Sequence, residues 1–407
     1  MKVSSQQRHI LIAWELGGGL GHITRIASIA KGFIARGDRV SLCLQDLSRA
    51  YEFVAHLPVG LYQAPVWLPR LRTEREPVCF SDILLHKGYG NARGLLTLTL
   101  AWQTLFKTLQ PDLLLLDYAP TAFLAARDGT IPKVIISSGF GESTAGLPDR
   151  CLRPWNEDGQ KQTQSSEKLV VGIVNQVLKK CRVSPIRQVS DLFQADHIFL
   201  FMVPEIDMQK NWRSATYLRP PQETGSMEPA IWPTEAGKRV FAYLKPSARL
   251  CLATIASIAA LDCVGLIVCA GLPEKAREEF QRPGLKICVE PCDLSEALEV
   301  ADVVVCHAGK NTLSDALFAG KPVLLLPEQL EQFHNALQVE KLGAGLYVRE
   351  GASQQQIQDD LSTLLEDSRF SAVGESLAKK NAALKRIEPV TAVVDHCERL
   401  IASTLRA

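Results

Sequence analysis

Short apolar runs alternate with segments of helical periodicity along both halves of the chain. The predicted strands lie at 10–13, 40–44, 113–116, 134–136, 240–244, 266–270, 303–306 and 323–326. From Ile23 to Ile34, apolar residues recur every three or four positions, which predicts a helix that Gly37 ends. Continuously apolar strands that alternate with helices are typical of parallel sheets covered on both faces. The pattern therefore predicts an α/β protein.

The length of the chain and the position of its prolines predict two domains. A chain of 407 residues is too long for one ordinary domain, and a proline-rich segment lies near its middle. We predict an N-terminal domain at 1–218, a linker at 219–235 and a C-terminal domain at 236–385. Residues 386–407 are predicted to form a helix that packs back on the N-terminal domain. Pro389 lies near the start of this range and should interrupt the helical pattern of the C-terminal segment.

The charge balance and the cysteines narrow the class of protein. Lys and Arg number 45 against 44 for Asp and Glu, and a net charge of +1 gives no reason to expect nucleic acid as a partner. The eleven cysteines are scattered and odd in number, which is typical of reduced core residues in a cytoplasmic protein. Cys288 and Cys292 lie four apart but lack nearby partners at zinc-ligand spacing, so no metal is predicted there.

The N-terminal apolar run 10–14 bears on localisation. It is too short for an export signal and continues into Glu15 and a run of glycines. No window in the sequence is long and apolar enough to span a bilayer. We therefore expect a cytoplasmic protein, with peripheral contact at the inner face of the membrane left open.

The segment 303–332 combines a buried strand, a polar turn, a short helix, a second strand and an acidic loop. The free N–H groups at the start of such a helix attract a diphosphate, and His307, Asn311 and Thr312 lie where they can add hydrogen bonds. The alternative is a capping box formed by Thr312 and Asp315, which requires no ligand. Capping alone does not require a histidine, a glycine and an asparagine in the turn before it, so the pattern favours a ligand site.

Two features of the first half also carry candidate chemistry. Asp117 directly follows the strand 113–116, and ligands in such sheets collect at the carboxyl ends of strands. The glycine run 17–21 does not fit G-x-G-x-x-G, so we expect a backbone that passes very close to another group. His22 follows it, and a neutral imidazole there can accept a proton. Taken singly, a helix-capping or helix-starting role explains each of these residues as well.

Together these features resemble the UDP-glycosyltransferase family of GT-B fold, in a divergent bacterial-type form. The segment from Gly21 to Gly37 is similar to the family's G-H-x-x-P…RG-H-x-V opening. The segment from His307 to Gln332 is similar to its H-x-G-x-N-[ST]-x-x-[ED]…G-x-P…P…[DE]-Q motif. The resemblance covers most of the chain and implies two doubly wound Rossmann-like domains that face one another across a cleft.

The resemblance also implies roles for individual residues. His22 would be the general base that removes the acceptor proton, and Asp117 would hold its other ring nitrogen and stabilise the imidazolium. The expected donor contacts are His307, Asn311 and Thr312 for the diphosphate, Asp315 for the ribose, Glu331 and Gln332 for the sugar, and in addition Gly19, Gly21, Ser247, Val289, Gly309 and Lys310. No D-x-D triplet occurs in the chain, so we expect no metal and no cofactor other than the nucleotide sugar as co-substrate.

The chain departs from the family pattern at four places. Asp315 stands where glutamate is usual, and Arg25 stands where proline is frequent. The segment 245–247 replaces a glycine-serine turn, and no aromatic residue near Val289 corresponds to the one that commonly stacks on the base. The sugar, the nucleobase and the acceptor are therefore not readable from the sequence.

The resulting expectation is an inverting, metal-independent hexosyltransferase. It would move a sugar from a UDP- or dTDP-sugar to a hydroxyl of a small or lipidic acceptor. Two alternatives share parts of the pattern. An epimerase of GT-B fold would act on the nucleotide sugar without an acceptor, and a non-catalytic binding protein would hold the donor without turnover.

Overall fold

The computed structural model describes residues 7–69, 76–140, 147–153, 155–221, 228–290, 292–349 and 351–404. The chain divides into two compact units. Unit 1 comprises Met1–Leu200, Gln209–Thr216 and Glu388–Ala407, and unit 2 comprises Phe201–Met208 and Tyr217–Ile387. The range 219–235, predicted as a linker, falls within the bounds of unit 2.

The strands and helices alternate along most of the chain. The strands are β1 (His9–Trp14), β2 (Arg39–Leu44), β3 (Val59–Gln63), β4 (Leu113–Asp117), β5 (Lys133–Ser137), β6 (His197–Phe201), β7 (Thr216–Leu218), β8 (Arg239–Tyr243), β9 (Val264–Val268), β10 (Leu285–Cys288), β11 (Val303–Cys306), β12 (Val323–Leu325) and β13 (Gly345–Tyr347). The α-helices are α1 (Leu20–Ala35), α2 (Ala50–Val54), α3 (Phe80–Leu84), α4 (Ala92–Leu109), α5 (Pro120–Ala125), α6 (Gly159–Cys181), α7 (Cys251–Ala260), α8 (Glu274–Glu279), α9 (Ser295–Val300), α10 (Lys310–Phe318), α11 (Leu330–Leu342), α12 (Gln354–Glu366), α13 (Ser368–Lys380), α14 (Ala382–Lys385) and α15 (Pro389–Thr404). Short π-helical and 3-10 turns lie at Leu85–Tyr89, Val189–Phe193 and Pro204–Ile206.

The first sheet has the strand order β3-β2-β1-β4-β5-β6-β7 among the described residues. Its central strands β1 and β4 are buried along their whole length and pair in parallel. Continuous burial explains why these strands read as unbroken apolar runs in the sequence. Their register sets Trp14 beside Asp117, so the carboxyl ends of both strands lie at the same place on the sheet edge.

The second sheet has the strand order β10-β9-β8-β11-β12-β13 in the part of the chain that the structure describes. All of its pairs are parallel, and β8 and β11 lie at its centre. Helix α10 follows β11 after three residues. The two sheets and their covering helices confirm the predicted α/β class.

The end of the chain belongs to unit 1, where α15 packs on α1. Gly32 of α1 permits the close approach, because a Cβ at that position would lie 2.3 Å from Cγ1 of Val390. The helical pattern of the C-terminal segment is interrupted as predicted, and α15 begins at Pro389. Within the described ranges, no helix has the length and apolar character that a bilayer span requires.

Candidate active site

Unit 1 brings His22 and Asp117 together at the carboxyl edge of its sheet. Asp117 is the last residue of β4, and His22 lies in the first turn of α1, which follows β1. The Nδ1 atom of His22 lies 3.0 Å from Oδ2 of Asp117. A carboxylate only accepts hydrogen bonds, so Nδ1 carries the proton and donates a hydrogen bond to Asp117. This leaves Nε2 of His22 with a free lone pair, which is the state that a general base requires.

The glycine turn before α1 is shaped around this imidazole. Gly17 has a φ of 84°, and a Cβ at Gly17 would lie 2.6 Å from Nε2 of His22. A Cβ at Gly18 or Gly19 would meet nothing within 4 Å, although Gly19, the residue before α1, has a φ of 93°. The group that the backbone passes closely is therefore His22 itself. Gly21 lies within α1, where its carbonyl accepts a hydrogen bond from the Thr24 hydroxyl.

The indole of Trp14 covers one face of the imidazole. Its ring is stacked on that of His22, with 5.1 Å between the ring centroids and 15° between the planes. The indole is itself fixed, because its Nε1 donates to the carbonyl of Leu16 at 2.6 Å. An aromatic face at this distance can interact with a positive charge beside it.

Arg25 is a third member of the cluster and one for which the sequence predicted no role. Its Nη2 atom donates to Oδ2 of Asp117 at 2.6 Å and lies 3.3 Å from Nδ1 of His22. Burial alone would raise the pKa of Asp117, but the positive charge of Arg25 and the contact with His22 outweigh it and lower that pKa. Two sequence signals could have pointed to Arg25: it stands where the family frequently has proline, and its spacing of three residues from His22 brings both side chains onto one face of α1.

In unit 2, the turn between β11 and α10 exposes the start of the helix. Gly309 precedes α10, and no side chain of the described residues caps its first N–H groups. The alternative of a capping box at Thr312 and Asp315 is therefore wrong, because Thr312 is the third residue of the helix and not its cap. The side chains of Asn311 and Thr312 have no hydrogen-bond partner among the described residues. Open N–H groups with free polar side chains beside them suit an anion.

Asn335 holds this turn in place and was not identified from the sequence. Ala308 has a φ of 58°, a conformation that residues other than glycine rarely adopt. The buried side-chain amide of Asn335, on α11, donates to the Ala308 carbonyl at 2.9 Å. The available signal was its position three residues after Gln332, on the helix that the acidic loop precedes.

His307 is buried at the end of β11, and both of its ring nitrogens have partners. Nδ1 donates to the carbonyl of Leu326 at 3.1 Å, and Nε2 accepts from the backbone N–H of Lys245 at 3.1 Å. Burial lowers the pKa of His307, which keeps the imidazole neutral. In this arrangement His307 fixes the turn after β8 and presents no N–H to a phosphate.

A cavity of about 220 Å³ opens beside His307. Its other lining residues are Ala248, Arg249, Leu250, Leu326, Pro327, Glu328, Val348 and Gly351. Aliphatic walls with a charged rim are typical of small-ligand sites. Neither Ser247 nor Val289 is among the described residues that line this cavity. Ser247 is exposed on the preceding turn. The carbonyl of Val289 accepts a hydrogen bond from the N–H of Gly271.

The remaining residues predicted to contact the donor lie on helices α10 and α11. Burial raises the pKa of the Asp315 carboxyl to about 7. The Nζ atom of Lys310 lies 3.7 Å from Oε1 of Glu331, so this lysine is held in an ion pair and is not a solvated cation. The side-chain oxygen of Gln332 accepts from the N–H groups of Glu328 and Gln329 at 2.8 and 3.2 Å, which makes it part of the cap of α11.

Part of the second unit matches a known protein family. Residues 263–388 match the glycosyltransferase family 28 C-terminal domain. The chain is also 34% identical over 152 residues to TDP-daunosamine transferase DnrS of Streptomyces peucetius, covering 36% of this chain and 34% of that protein. It is 32% identical over 117 residues to aclacinomycin-T 2-deoxy-L-fucose transferase of Streptomyces galilaeus, covering 28% of this chain and 27% of that protein. The matched segments thus span about a quarter to a third of these curated relatives.

Solved structures match over nearly the whole chain. The calicheamicin glycosyltransferase CalG4 superposes with a TM-score of 0.72 at 16% identity, covering 98% of this chain and 99% of that one. The spinosyn rhamnosyltransferase SpnG complexed with thymidine diphosphate gives a TM-score of 0.66 at 16% identity, covering 96% and 100%. At such low identity the likeness shows the fold that these proteins share.

Proposed function

We propose that this chain, which has the GT-B fold of bacterial glycosyltransferases and carries a C-terminal segment similar to that of glycosyltransferase family 28, transfers a hexosyl group from a UDP- or dTDP-sugar to an acceptor hydroxyl. The observation that carries the proposal is the 3.0 Å contact between Nδ1 of His22 and Oδ2 of Asp117. It fixes the tautomer in which Nε2 is unprotonated. A base of this kind is what an acceptor hydroxyl needs as it attacks the anomeric carbon.

In the proposed reaction, Nε2 of His22 takes the acceptor proton while the acceptor oxygen forms the new bond to the anomeric carbon. The bond from that carbon to the diphosphate oxygen breaks at the same time, so the configuration at the carbon inverts. Asp117 keeps Nδ1 oriented and compensates part of the charge on the imidazolium, and the Trp14 ring supports it from one face.

The donor is proposed to bind at the start of α10. The N–H groups of 310–312 and the side chains of Asn311 and Thr312 would hold the diphosphate and stabilise the charge that grows on it as it leaves. Asp315 is assigned to the ribose, and Glu331 with the amide nitrogen of Gln332 to the sugar hydroxyls. A thymidine diphosphate complex of a structural neighbour and the TDP-daunosamine transferase among the relatives support this donor class.

The proposal is tested first by donor binding and then by transfer. Thermal shift with UDP, dTDP and their glucose conjugates identifies the nucleotide, because a ligand at one hundred times its dissociation constant adds about 2.7 kcal/mol to the apparent stability. Transfer to a panel of hydroxylated acceptors is then followed by mass spectrometry. We expect His22→Ala to lower kcat by about 10²–10⁴-fold and to leave donor binding unchanged. His56→Ala, which alters an exposed histidine of the same unit, is the matched control.

Other outcomes would replace the proposal. Donor alone converted to an epimerised sugar, seen by NMR, would indicate an epimerase. Donor binding without transfer or donor hydrolysis would indicate a binding protein. Loss of transfer on adding EDTA, or retention of the anomeric configuration in the product, would contradict metal independence or inversion respectively.

A further inference from the structure

Two cysteine side chains of unit 2 contact one another. The sulfur atoms of Cys251 and Cys269 lie 3.6 Å apart, and the two residues are 1% and 0% exposed. Cys251 is the first residue of α7, and Cys269 directly follows β9. The fold thus brings together two thiols that are 18 positions apart along the chain. We call Cys251 and Cys269 the thiol pair.

The two sulfur atoms of the thiol pair differ in reactivity. The contact with the Cys269 thiol lowers the pKa of Cys251, although burial and the carboxylate of Glu328 act in the opposite direction. The same contact, together with burial, raises the pKa of Cys269. Cys251 also lies at the start of a helix, where free N–H groups favour an anionic sulfur. Cys251 is therefore the better nucleophile, and Cys269 lies beside it as a second thiol.

A small oxidant can approach Cys251 from the cavity beside His307. Three residues that line this cavity, Ala248, Arg249 and Leu250, directly precede Cys251. The cavity has a volume of about 220 Å³, and hydrogen peroxide is little larger than a water molecule, whose share of the liquid volume is about 30 Å³. Helix ends open locally more readily than helix centres, so a small movement of the first turn of α7 exposes the sulfur to the cavity.

We infer that hydrogen peroxide converts the thiol pair into a reversible disulfide that regulates the donor site. The sulfur of Cys251 attacks a peroxide oxygen and the O–O bond breaks, which gives a sulfenic acid and, with the thiol proton, one water molecule. The sulfur of Cys269 then attacks the sulfenic sulfur, the S–O bond breaks, and the second water leaves with the proton of Cys269. Two thiols and one peroxide thus give one disulfide and two waters, and the peroxide takes up two electrons.

The regulatory part of this inference rests on the proposed function. Bond formation requires the two sulfur atoms to approach from 3.6 Å to about 2.0 Å, which draws the start of α7 toward the end of β9. The turn before α7 holds the cavity wall: the N–H of Lys245 donates to Nε2 of His307 at 3.1 Å, and the N–H of Arg249 donates to Oε1 of Glu328 at 3.0 Å. Because His307 leads into the turn before α10, a displaced wall should weaken binding of the nucleotide.

The covalent step is tested by peptide mapping, which requires no activity. The full chain is treated with a small molar excess of hydrogen peroxide, its remaining thiols are blocked with iodoacetamide in denaturant, and it is cut with trypsin and the protease Asp-N. Cleavage before Asp262 separates Cys251, in the peptide 250–261, from Cys269, in the peptide 262–275. We expect the two peptides to be linked after peroxide treatment and to separate on reduction with dithiothreitol.

Three variants check the assignment of the link. Cys263 lies in the same peptide as Cys269 and is the matched control, because its sulfur lies 3.7 Å from the carbonyl of Ile258. Cys263→Ala should leave the link unchanged. Cys269→Ala should give no link and a sulfenic acid on Cys251 that dimedone traps, whereas Cys251→Ala should leave Cys269 unmodified.

The mapping of the wild-type protein also covers the case in which a variant does not fold. Blocked, unlinked Cys251 and Cys269 after peroxide treatment of the folded protein would overturn the inference. A link from Cys251 to Cys263, or a link that forms only in urea, would overturn it equally, because neither uses the contact between the thiol pair.

The effect on the donor site is a separate measurement. We expect peroxide to weaken binding of UDP or dTDP by about fivefold or more in calorimetry, and dithiothreitol to restore it. Cys251→Ala, which lacks the nucleophile, should bind equally before and after peroxide. A linked protein with unchanged nucleotide affinity would refute the regulatory role.

Failure of the thiol pair and failure of the proposed function give different results. A reduced protein that binds neither nucleotide but forms the link would refute the proposed donor class and the regulation, and would support the disulfide. A protein that binds nucleotide and transfers sugar but forms no link would refute the inference about the thiol pair alone.

Discussion

At the scale of single residues, the surroundings of the proposed base His22 depend on the absence of a side chain at Gly17 as much as on its hydrogen-bond partners. Gly17 leaves the space next to Nε2 of His22 open, and its φ of 84° is one that a residue with a Cβ adopts only with strain. Gln45 donates to the Gly17 carbonyl and helps to fix the turn. The backbone of the turn can therefore pass directly beside Nε2 without a steric clash.

Gly17→Ala should consequently damage catalysis more than it damages the fold. The new Cβ would lie 2.6 Å from Nε2, and the left-handed conformation would cost about 1–2 kcal/mol. We expect kcat to fall at least about tenfold, because a small misplacement of a catalytic group has effects of that order or larger. Donor binding to unit 2 should not change. Steady-state kinetics and thermal melting measure both quantities.

Gly18→Ala is the matched control, since a Cβ at Gly18 meets nothing within 4 Å and its φ is not positive. Comparable losses in both variants would mean that the turn matters as a whole and that the Gly17 contact does not.

The residue-scale picture could be predicted only in part. Asp117 was identified because it ends a buried strand and His22 because it follows a glycine turn, their joint role came from the family resemblance, and the structure places them in contact. The stacking of Trp14 and the ion pair of Arg25 depend on the register of β1 beside β4 and on the rotation of α1, neither of which a single sequence specifies. His307 was expected to face a phosphate, but its two backbone contacts could not be foreseen because they come from two separate turns.

At the scale of elements, the turn before α10, where the diphosphate is proposed to bind, depends on helix α11. Ala308 is held in the left-handed region, and the carbonyl that this conformation turns inward receives its hydrogen bond from Asn335 on α11. Helix α11 is in turn capped through Gln329 and Gln332. The start of α10 and the start of α11 are thus one connected structure.

Asn335→Ala should loosen this structure. The buried Ala308 carbonyl would lose its partner, which costs about 1–3 kcal/mol, and the N–H groups at the start of α10 would lose their fixed direction. We expect a lower melting temperature and weaker binding of UDP or dTDP, measured by calorimetry. Gln338→Ala, at a partly exposed site on the same helix, should change neither. Unchanged nucleotide affinity in Asn335→Ala would indicate that the diphosphate does not use this turn.

The contact between α15 and β6 predicts a dependence on pH. His197 and His396 lie with their ring centroids 3.8 Å apart, and burial together with the charge of His396 lowers the pKa of His197 to about 4. In the unfolded chain a histidine titrates near 6.5, so between these values the unfolded state binds more protons. Stability is therefore complete above about pH 6.5 and falls as the pH drops toward 4.

His396→Gln should make this acid limb shallower, because it removes the second positive charge that opposes protonation of His197. Melting temperatures between pH 7 and 5 measure the slope, and His56→Gln serves as the exposed control. A slope equal to that of the wild-type protein would show that the histidine pair does not govern the loss.

Most strands buried on both sides were predictable, and marginal ones were not. The predicted runs at 113–116 and 303–306 agree with β4 and β11 to within one residue, since central strands are apolar throughout. The strands β3, β7, β10 and β13 were not predicted, because they have three to five residues, are partly exposed and lack an apolar run. The strand β6 was also not predicted, although it is apolar and largely buried. The proposed capping box failed for a different reason: its spacing is satisfied wherever Thr and Asp lie three apart, whatever the true first residue of the helix.

At the scale of the whole molecule, buried carboxyl groups tie the fold to pH in the opposite direction. Glu15 is buried beneath α5, and burial raises its pKa to about 7 although Thr121 and Ala122 donate to it. Asp315 in unit 2 also has its pKa raised by burial to about 7. Each unit therefore contains an acid that stays protonated in the folded state well above the pH at which it ionises in the unfolded chain.

The sign of the effect follows from proton binding. Between pH 4.5, the ordinary pKa of a glutamate, and about 7, folded Glu15 keeps its proton while the unfolded chain releases it. The stabilising contribution is fully present below pH 4.5 and is lost as the pH rises through 7. For a carboxyl group buried as completely as Glu15, this shift corresponds to about 3 kcal/mol.

Glu15→Gln should remove this loss, because an amide does not ionise; its single oxygen can keep only one of the two N–H hydrogen bonds, so the variant should be less stable at every pH but should not share the loss. We expect the free energy of unfolding of the wild-type protein to fall between pH 5.5 and 8.5, and that of Glu15→Gln to fall by about 2 kcal/mol less. Urea titrations followed by tryptophan fluorescence report mainly on unit 1, which holds five of the six tryptophans. Glu52→Gln, at an exposed position on α2, should follow the wild-type curve. Parallel curves for Glu15→Gln and the wild-type protein would show that Glu15 is already ionised in the fold, and the alkaline loss would then have to come from another group.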